Sequence, residues 1–297
     1  MNRIKDQIRC GAAYRLGLTG KGIGVAVLDT GIFLHRDFDS RVTGFADMVN
    51  GKTFAYDDCG HGTHICGIIG GSGRMSGGRY SGIAPGCDLV MVKVLDRKGN
   101  GYSSDVLAGI SWILERKEKL GIRILNISVG ACSKRGMSEN SALVKGVNRA
   151  WDAGLVVVVA AGNNGPRTMS ITTPGISRKV ITVGCSDDDR EVLVGGNRMV
   201  DYSGRGPTAA CICKPDLVAP GCSVVSCSSR ADKYTIKSGT SMSTPIVSGA
   251  VALLLERFPD MTNKDVKLRL RESSVDIGLP RNQQGWGLLD VGKMIGK

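Results

Sequence analysis

The chain has 297 residues, 42% hydrophobic and 22% charged, which excludes a disordered, collagen-like or coiled-coil protein. Its 39 Lys and Arg against 27 Asp and Glu give a net charge of +12. The basic residues are scattered or interleaved with acids, as in Arg116-Lys117-Glu118-Lys119, and only 14 residues are aromatic, so no nucleic-acid partner is expected.

The first twenty residues hold Arg3, Lys5, Arg9 and Arg15 but no apolar core, so no signal peptide is predicted there. No run approaches the roughly 18 apolar residues of a membrane span. The expectation is a cytoplasmic protein with no membrane partner. Glycine, at 42 residues, is about 14% of the chain against a usual share of about 7%, which predicts many tight turns. Short Val- and Ile-rich runs at 23–28, 89–95, 123–127, 155–160, 180–183 and 223–227 are predicted strands, buried on both faces. Residues 103–119 and 138–153 carry apolar positions at helical spacing. Residues 187–202 predict a small hairpin. The stretch 242–258, apolar almost throughout to Leu255, predicts a central buried helix, and 262–272 a final amphipathic helix opened by Thr262 and Asn263. Alternating strands and helices predict an α/β fold with a parallel sheet, mostly seven-stranded, and helices on both faces. No repeat or linker divides the chain, so 1–20 reads as a short N-terminal extension and 21–297 as one domain.

Four segments carry chemistry. Gly22-Ile23-Gly24 has the glycines of a dinucleotide loop, but they precede their strand instead of following it. The residue to weigh there is Asp29, a carboxylate at the carboxyl end of a buried strand, where open α/β sheets gather their sites. Gly60-His61-Gly62-Thr63-His64 places two of the three histidines at the start of an apolar helix, 65–69. A histidine held by a rigid turn is a candidate general base, with His64, one turn further in, a packing or capping residue. Ala161-Gly162-Asn163-Asn164 closes the Val-rich strand and brings a side-chain amide to the same edge. Ser241, in Gly239-Thr240-Ser241-Met242, falls at a helix N-terminus, where free N–H groups favour developing negative charge. Each has a bland reading alone: turn residue, structural histidine, loop amide, helix cap.

Ten cysteines include no C-x-x-C pair, which argues against a zinc site, and with no export signal free thiols are expected rather than disulfides. Cys66 and Cys185 sit in apolar runs and read as small buried hydrophobes. Cys59 and Cys66 flank His61, so thiol reagents are expected to inhibit.

Taken together, a carboxylate, an imidazole, an amide and a helix-start hydroxyl occur in the order Asp, His, Asn, Ser at one predicted sheet edge. With Val27-Leu28-Asp29-Thr30-Gly31, Gly60-His61-Gly62-Thr63-His64, Ala160-Ala161-Gly162-Asn163 and Gly239-Thr240-Ser241-Met242-Ser243-Thr244-Pro245, the chain resembles the subtilisin-like serine proteases from about Gly22 to Asp290. The resemblance implies a serine endopeptidase with Ser241 as nucleophile, His61 as general base, Asp29 as its support, and Asn163 with the Ser241 N–H as oxyanion hole. It implies an extended peptide bound between Gly99-Asn100-Gly101 and Ser128-Val129-Gly130, with Ala161, Gly162 and Asn164 bordering the pocket before the cut. Asn164 is neutral, so no strong demand for a basic residue is expected there. No cofactor is required for that chemistry. Gly70–Arg79 lacks carboxylates and Asn, a poor calcium cage in which Asp37 is the single candidate ligand, so a structural calcium is not supported. No pro-domain is recognised before the core, which places the resemblance with the intracellular branch of the family; residues 1–20 depart from that branch in lacking the proline of its inhibitory N-terminal peptide, which leaves open how activity is restrained. General turnover, narrow processing of a leader peptide and non-catalytic peptide binding remain open alternatives, as does oligomeric state.

Overall fold

The structure, a computed structural model, describes residues 1–130 and 139–296. Seven parallel strands form the central sheet in the order β2-β3-β1-β4-β5-β6-β9. They are β1 (Gly24–Asp29), β2 (Val42–Asp47), β3 (Asp88–Lys93), β4 (Ile122–Ile127), β5 (Val156–Ala160), β6 (Ile181–Cys185) and β9 (Leu217–Ala219). The five central predicted runs all lie in it. The two flanking strands carry weak signals: β2 is a half-buried edge, and β9 has only three residues.

The predicted strand at 223–227 is corrected. Val224–Cys227 (β10) pairs antiparallel with Tyr234–Lys237 (β11) in a separate two-stranded ribbon. Its Val-Val pair satisfies the local signature of a buried strand, while the partner is set by tertiary packing. The predicted hairpin is present but shorter, β7 (Val192–Val194) against β8 (Asn197–Met199).

The helices are α1 (Asn2–Gln7), α2 (Gly11–Arg15), α3 (His61–Gly70), α4 (Ser103–Arg116), α5 (Ala142–Asp152), α6 (Thr240–Arg257) and α7 (Asn263–Ser273), with shorter turns beyond. The Ser138 start expected for α5 lies outside the described residues; α5 begins after Ser141, whose side chain accepts the Val144 N–H. Helices cover both faces of the sheet. Gly109 of α4 lies against Leu28, Val92 and Val94, whereas Gly62 and Gly70 of α3 lie against Met91 and Leu89. Odd and even positions of a strand point to opposite faces, so α3 and α4 sit on opposite sides of β3. Helix α6 packs on α3 and on β4, β5 and β6. It is buried on all sides from Met242 to Leu255, which explains its lack of a polar stripe.

Residues 1–20 are packed onto the body. Ile4, Ile8, Cys10 and Ala13 join the main core, and Ile8 accepts the Val291 N–H. Arg3 donates to Asp187 Oδ2 at 2.9 Å and to the Cys222 carbonyl at 2.7 Å. No disulfide links the nine described cysteines; Cys132 lies outside the described residues. Among the described residues, no helix is long and apolar enough to cross a membrane.

Candidate active site

The sheet assembles one cleft from the carboxyl ends of β1, β4 and β5 and the N-termini of α3 and α6. Asp29 is the last residue of β1 and fully buried; its Oδ1 accepts the Thr30 N–H at 2.8 Å. His61 opens α3, with its Nδ1 2.8 Å and 2.9 Å from the two Asp29 oxygens and its side chain 23% exposed. Burial disfavours the imidazolium, but the charge and hydrogen bond of Asp29 outweigh it and hold the His61 pKa above its ordinary 6.5.

Asp57 builds the turn that presents His61. Its Oδ1 accepts the Thr30 hydroxyl and the N–H groups of Cys59 and Gly60, and its Oδ2 accepts the Thr63 N–H and hydroxyl. Below it, the buried Lys93 ammonium donates to the Thr30 and Leu95 carbonyls and to Asp58 Oδ1 at 2.6, 2.8 and 2.8 Å. These two residues tie the β1 and β3 ends to α3. His64 lies deeper. Its Nε2 contacts the Val224 and Thr235 carbonyls at 3.1 and 3.2 Å, and burial first, then the Lys237 charge, lower its pKa to about 3. It is a neutral pin for the β10–β11 ribbon.

Ser241 is the second residue of α6. Its hydroxyl donates to the Ser128 carbonyl at 2.7 Å, and it lines the same cleft as His61. Ser128 is held in turn by a buried chain, Asn126 Nδ2 to Ser128 Oγ and Ser248 Oγ to Asn126 Oδ1, each 2.9 Å. Asn163 Oδ1 accepts both the N–H and the hydroxyl of Thr240 at 3.0 Å. That fixes the amide beside the start of α6, where Gly239 takes φ 138°, a region that favours glycine.

The cleft has a volume of about 460 Å³ and is lined by His61, Ser128, Val129, Gly130, Gly162, Asn163, Asn164 and Ser241, together with Gly99. It continues past Gly101, Tyr102, Thr173 and Pro174 on one side and past the Leu193–Asn197 hairpin, Lys237 and Ser238 on the other. Gly162, at φ 92°, abuts the Thr172 side chain, so a Cβ there would collide with it. Of the residues expected at the groove, Ala161 departs. It is fully buried behind the cleft with Val144, Ile171 and Ile176, because neighbouring backbone positions turn opposite ways. Thr172, Lys98 and Lys237 also line it and carry no signal in the sequence, while Cys59 lines it beside His61 as expected. Of the flanking cysteines, Cys59 is exposed in the cleft wall, while Cys66 is buried in α3.

The residues around Asp37 do not fit calcium, which takes six to eight oxygen ligands. Asp37 Oδ2 accepts the Tyr234 hydroxyl at 2.7 Å and Oδ1 the Met75 N–H at 2.9 Å. The Arg41 guanidinium occupies the neighbouring carbonyls of Gly70, Cys87 and Asp37. Two clusters among the described residues gather metal-ligating atoms, His35/Asp37/Cys227 and Cys185/Asp187/Cys222. Both are hydrogen-bonded within the protein: His35 between the Asp37 N–H and Lys233 O, and both thiols of the second on the Tyr202 hydroxyl.

A profile of the subtilase family matches residues 20–287. The chain is 43% identical over 290 residues to serine protease AprX of Bacillus subtilis, covering 92% of this chain and 65% of that protein's length. It is 34% identical to subtilisin BL of Lederbergia lenta over 96% of this chain and 95% of the relative. Among solved structures, it superposes on sphericase with a TM-score of 0.79 at 32% identity, covering 92% of this chain and 93% of that one.

Proposed function

The chain belongs to the subtilase family of serine proteases, and from that premise we propose that it hydrolyses internal peptide bonds through Asp29, His61 and Ser241. In this scheme Ser241 Oγ attacks the scissile carbonyl while His61 Nε2 takes its proton. The Oγ–C bond forms as the carbonyl π bond opens. His61 then returns that proton to the leaving amine, giving an acyl-enzyme on Ser241. Water, deprotonated by His61, releases the acid and restores the serine. Asp29 holds the imidazole in the required tautomer and offsets the imidazolium charge.

The Asn163 amide and the Ser241 N–H stabilise the oxyanion. The reading is supported by the positive dipole end of the α6 N-terminus, at which Ser241 is the second residue, and by the anchoring of Asn163 Oδ1 on Thr240, which leaves its NH₂ without a partner among the described residues. An extended peptide pairs with the edges at Gly99–Gly101 and Ser128–Gly130. The scheme needs no cofactor.

The observation that carries this reading is the double Asp29–His61 contact in the cleft that holds Ser241. Treatment with a fluorophosphonate followed by intact-mass spectrometry tests it. A single adduct, absent in Ser241→Ala, is expected. A folded wild-type protein that takes no adduct overturns the catalytic reading and leaves peptide binding.

A further inference from the structure

The cleft that holds His61 has a cationic lining. Lys98, exposed on the loop after β3, and Lys237, half-buried at the end of β11, line it. No described Asp or Glu lines it or the two clefts that share residues with it. The carboxylates closest in sequence to these walls are already committed. Asp29 is held by His61, Asp57 by Thr30, Thr63 and two backbone N–H groups, and Asp58 by Lys93. Asp96 turns into its own loop, accepting the Lys98 and Asn100 N–H groups. The Lys237 ammonium has no hydrogen bond or ion pair among the described residues, and its charge reaches His61, where it opposes protonation.

A cleft with low-dielectric walls and one sign of charge focuses its field on whatever enters. The Lys98 wall lies with Gly99–Gly101, beside the strand that carries the acyl half. Lys237 also lines the adjoining cleft with Ser241 and the Leu193–Gly196 hairpin, which the proposed catalytic reading gives to the departing half. Resting on the reading of this cleft as a peptide groove, we propose that it selects peptides acidic on both sides of the scissile bond, with Lys98 facing the acyl half and Lys237 the leaving half. An exposed pair of this kind changes kcat/KM by about 2–5-fold per charge, more at low salt, where screening extends over about 30 Å.

The test uses internally quenched peptides that differ only in carrying Asp, Ala or Lys two positions after the cut, and a second set varied two positions before it. For the first set the expected order of kcat/KM is Asp, then Ala, then Lys, compressed at high salt. Lys237→Glu reverses that order and leaves the second set's order intact; Lys98→Glu does the converse. Lys119→Glu, an exposed change of equal charge on the far loop after α4, leaves both orders as in wild type. An order unchanged by Lys237→Glu and Lys98→Glu, or changed equally by Lys119→Glu, overturns the proposal. Cleavage of the Ala peptides by the wild type keeps that failure distinct, since an uncleaved Ala peptide in both sets sinks the catalytic reading itself.

Discussion

Asp29 meets His61 with both carboxylate oxygens, at 2.8 and 2.9 Å from one ring nitrogen. The contact fixes the proton on Nδ1 and leaves Nε2 as the basic atom facing the cleft. Because the pair raises the His61 pKa, kcat/KM is expected to rise with pH through a midpoint above 6.5 and then level off. The stabilising contribution of this pair has the opposite sign. It is complete below the unfolded-state value near 6.5 and is lost as pH rises through the folded-state pKa. Asp29→Asn is expected to cut kcat by about 10⁴, the scale set by loss of the correct tautomer in a serine triad. A pH–rate profile flat from 5 to 9 would contradict His61 as the base.

Asn163→Ala is expected to lower kcat by about 10²–10³ with KM little changed, a figure known from the matching asparagine of subtilisin rather than obtained from this geometry. Thr240→Ala, which removes the hydroxyl held by Asn163 Oδ1, should give a smaller loss of about tenfold. Steady-state kinetics on one neutral peptide separates the two, and a larger loss from Thr240→Ala than from Asn163→Ala would refute the assignment.

Lys93 is expected to matter for stability more than for chemistry. Lys93→Met leaves the Thr30 and Leu95 carbonyls without their donor and should cost about 1–3 kcal/mol. Urea unfolding would show this as a lower midpoint at unchanged slope. An unchanged midpoint would mean that water replaces the ammonium at no cost.

Thiol inhibition, expected at sequence level from both cysteines beside His61, narrows to Cys59. Its thiol, exposed but partly shielded from water by the cleft wall, has a pKa raised from 9.0, chiefly by that lost solvation and further by Asp57 and Asp29, against a lowering backbone hydrogen bond from His61. Iodoacetamide should therefore inactivate slowly at pH 7 and faster as pH climbs past 9. Cys59→Ser should resist and Cys66→Ser should not. Equal sensitivity of wild type and Cys59→Ser would place the reactive thiol elsewhere.

The sheet centre and the order Asp29, His61, Asn163, Ser241 were legible because buried strands are continuous apolar runs and their ends carry isolated polar residues. What stayed hidden depends on partners distant in sequence. Val224–Cys227 reads like a sheet strand, yet its neighbour is Tyr234–Lys237. Asp57 reads like a turn residue, and only the folded contacts reveal five donors converging on it. Lys98 and Lys237 carry no local pattern at all, since a lysine on a loop is ordinary until the cleft closes around it. Ala161 was misplaced because motif neighbours need not share a surface.

The Ser241 hydroxyl rests on the Ser128 carbonyl, 2.7 Å away, on the very edge where a bound peptide would pair. On the proposed reading, a peptide N–H arriving at that carbonyl would compete with the hydroxyl and turn it loose, so that occupancy and arming would be one event. On that reading the contact slows Ser241 without blocking it. Small electrophiles without such an N–H should acylate more slowly than peptidyl ones carrying the same warhead, and replacing that single N–H by N-methyl should erase the difference.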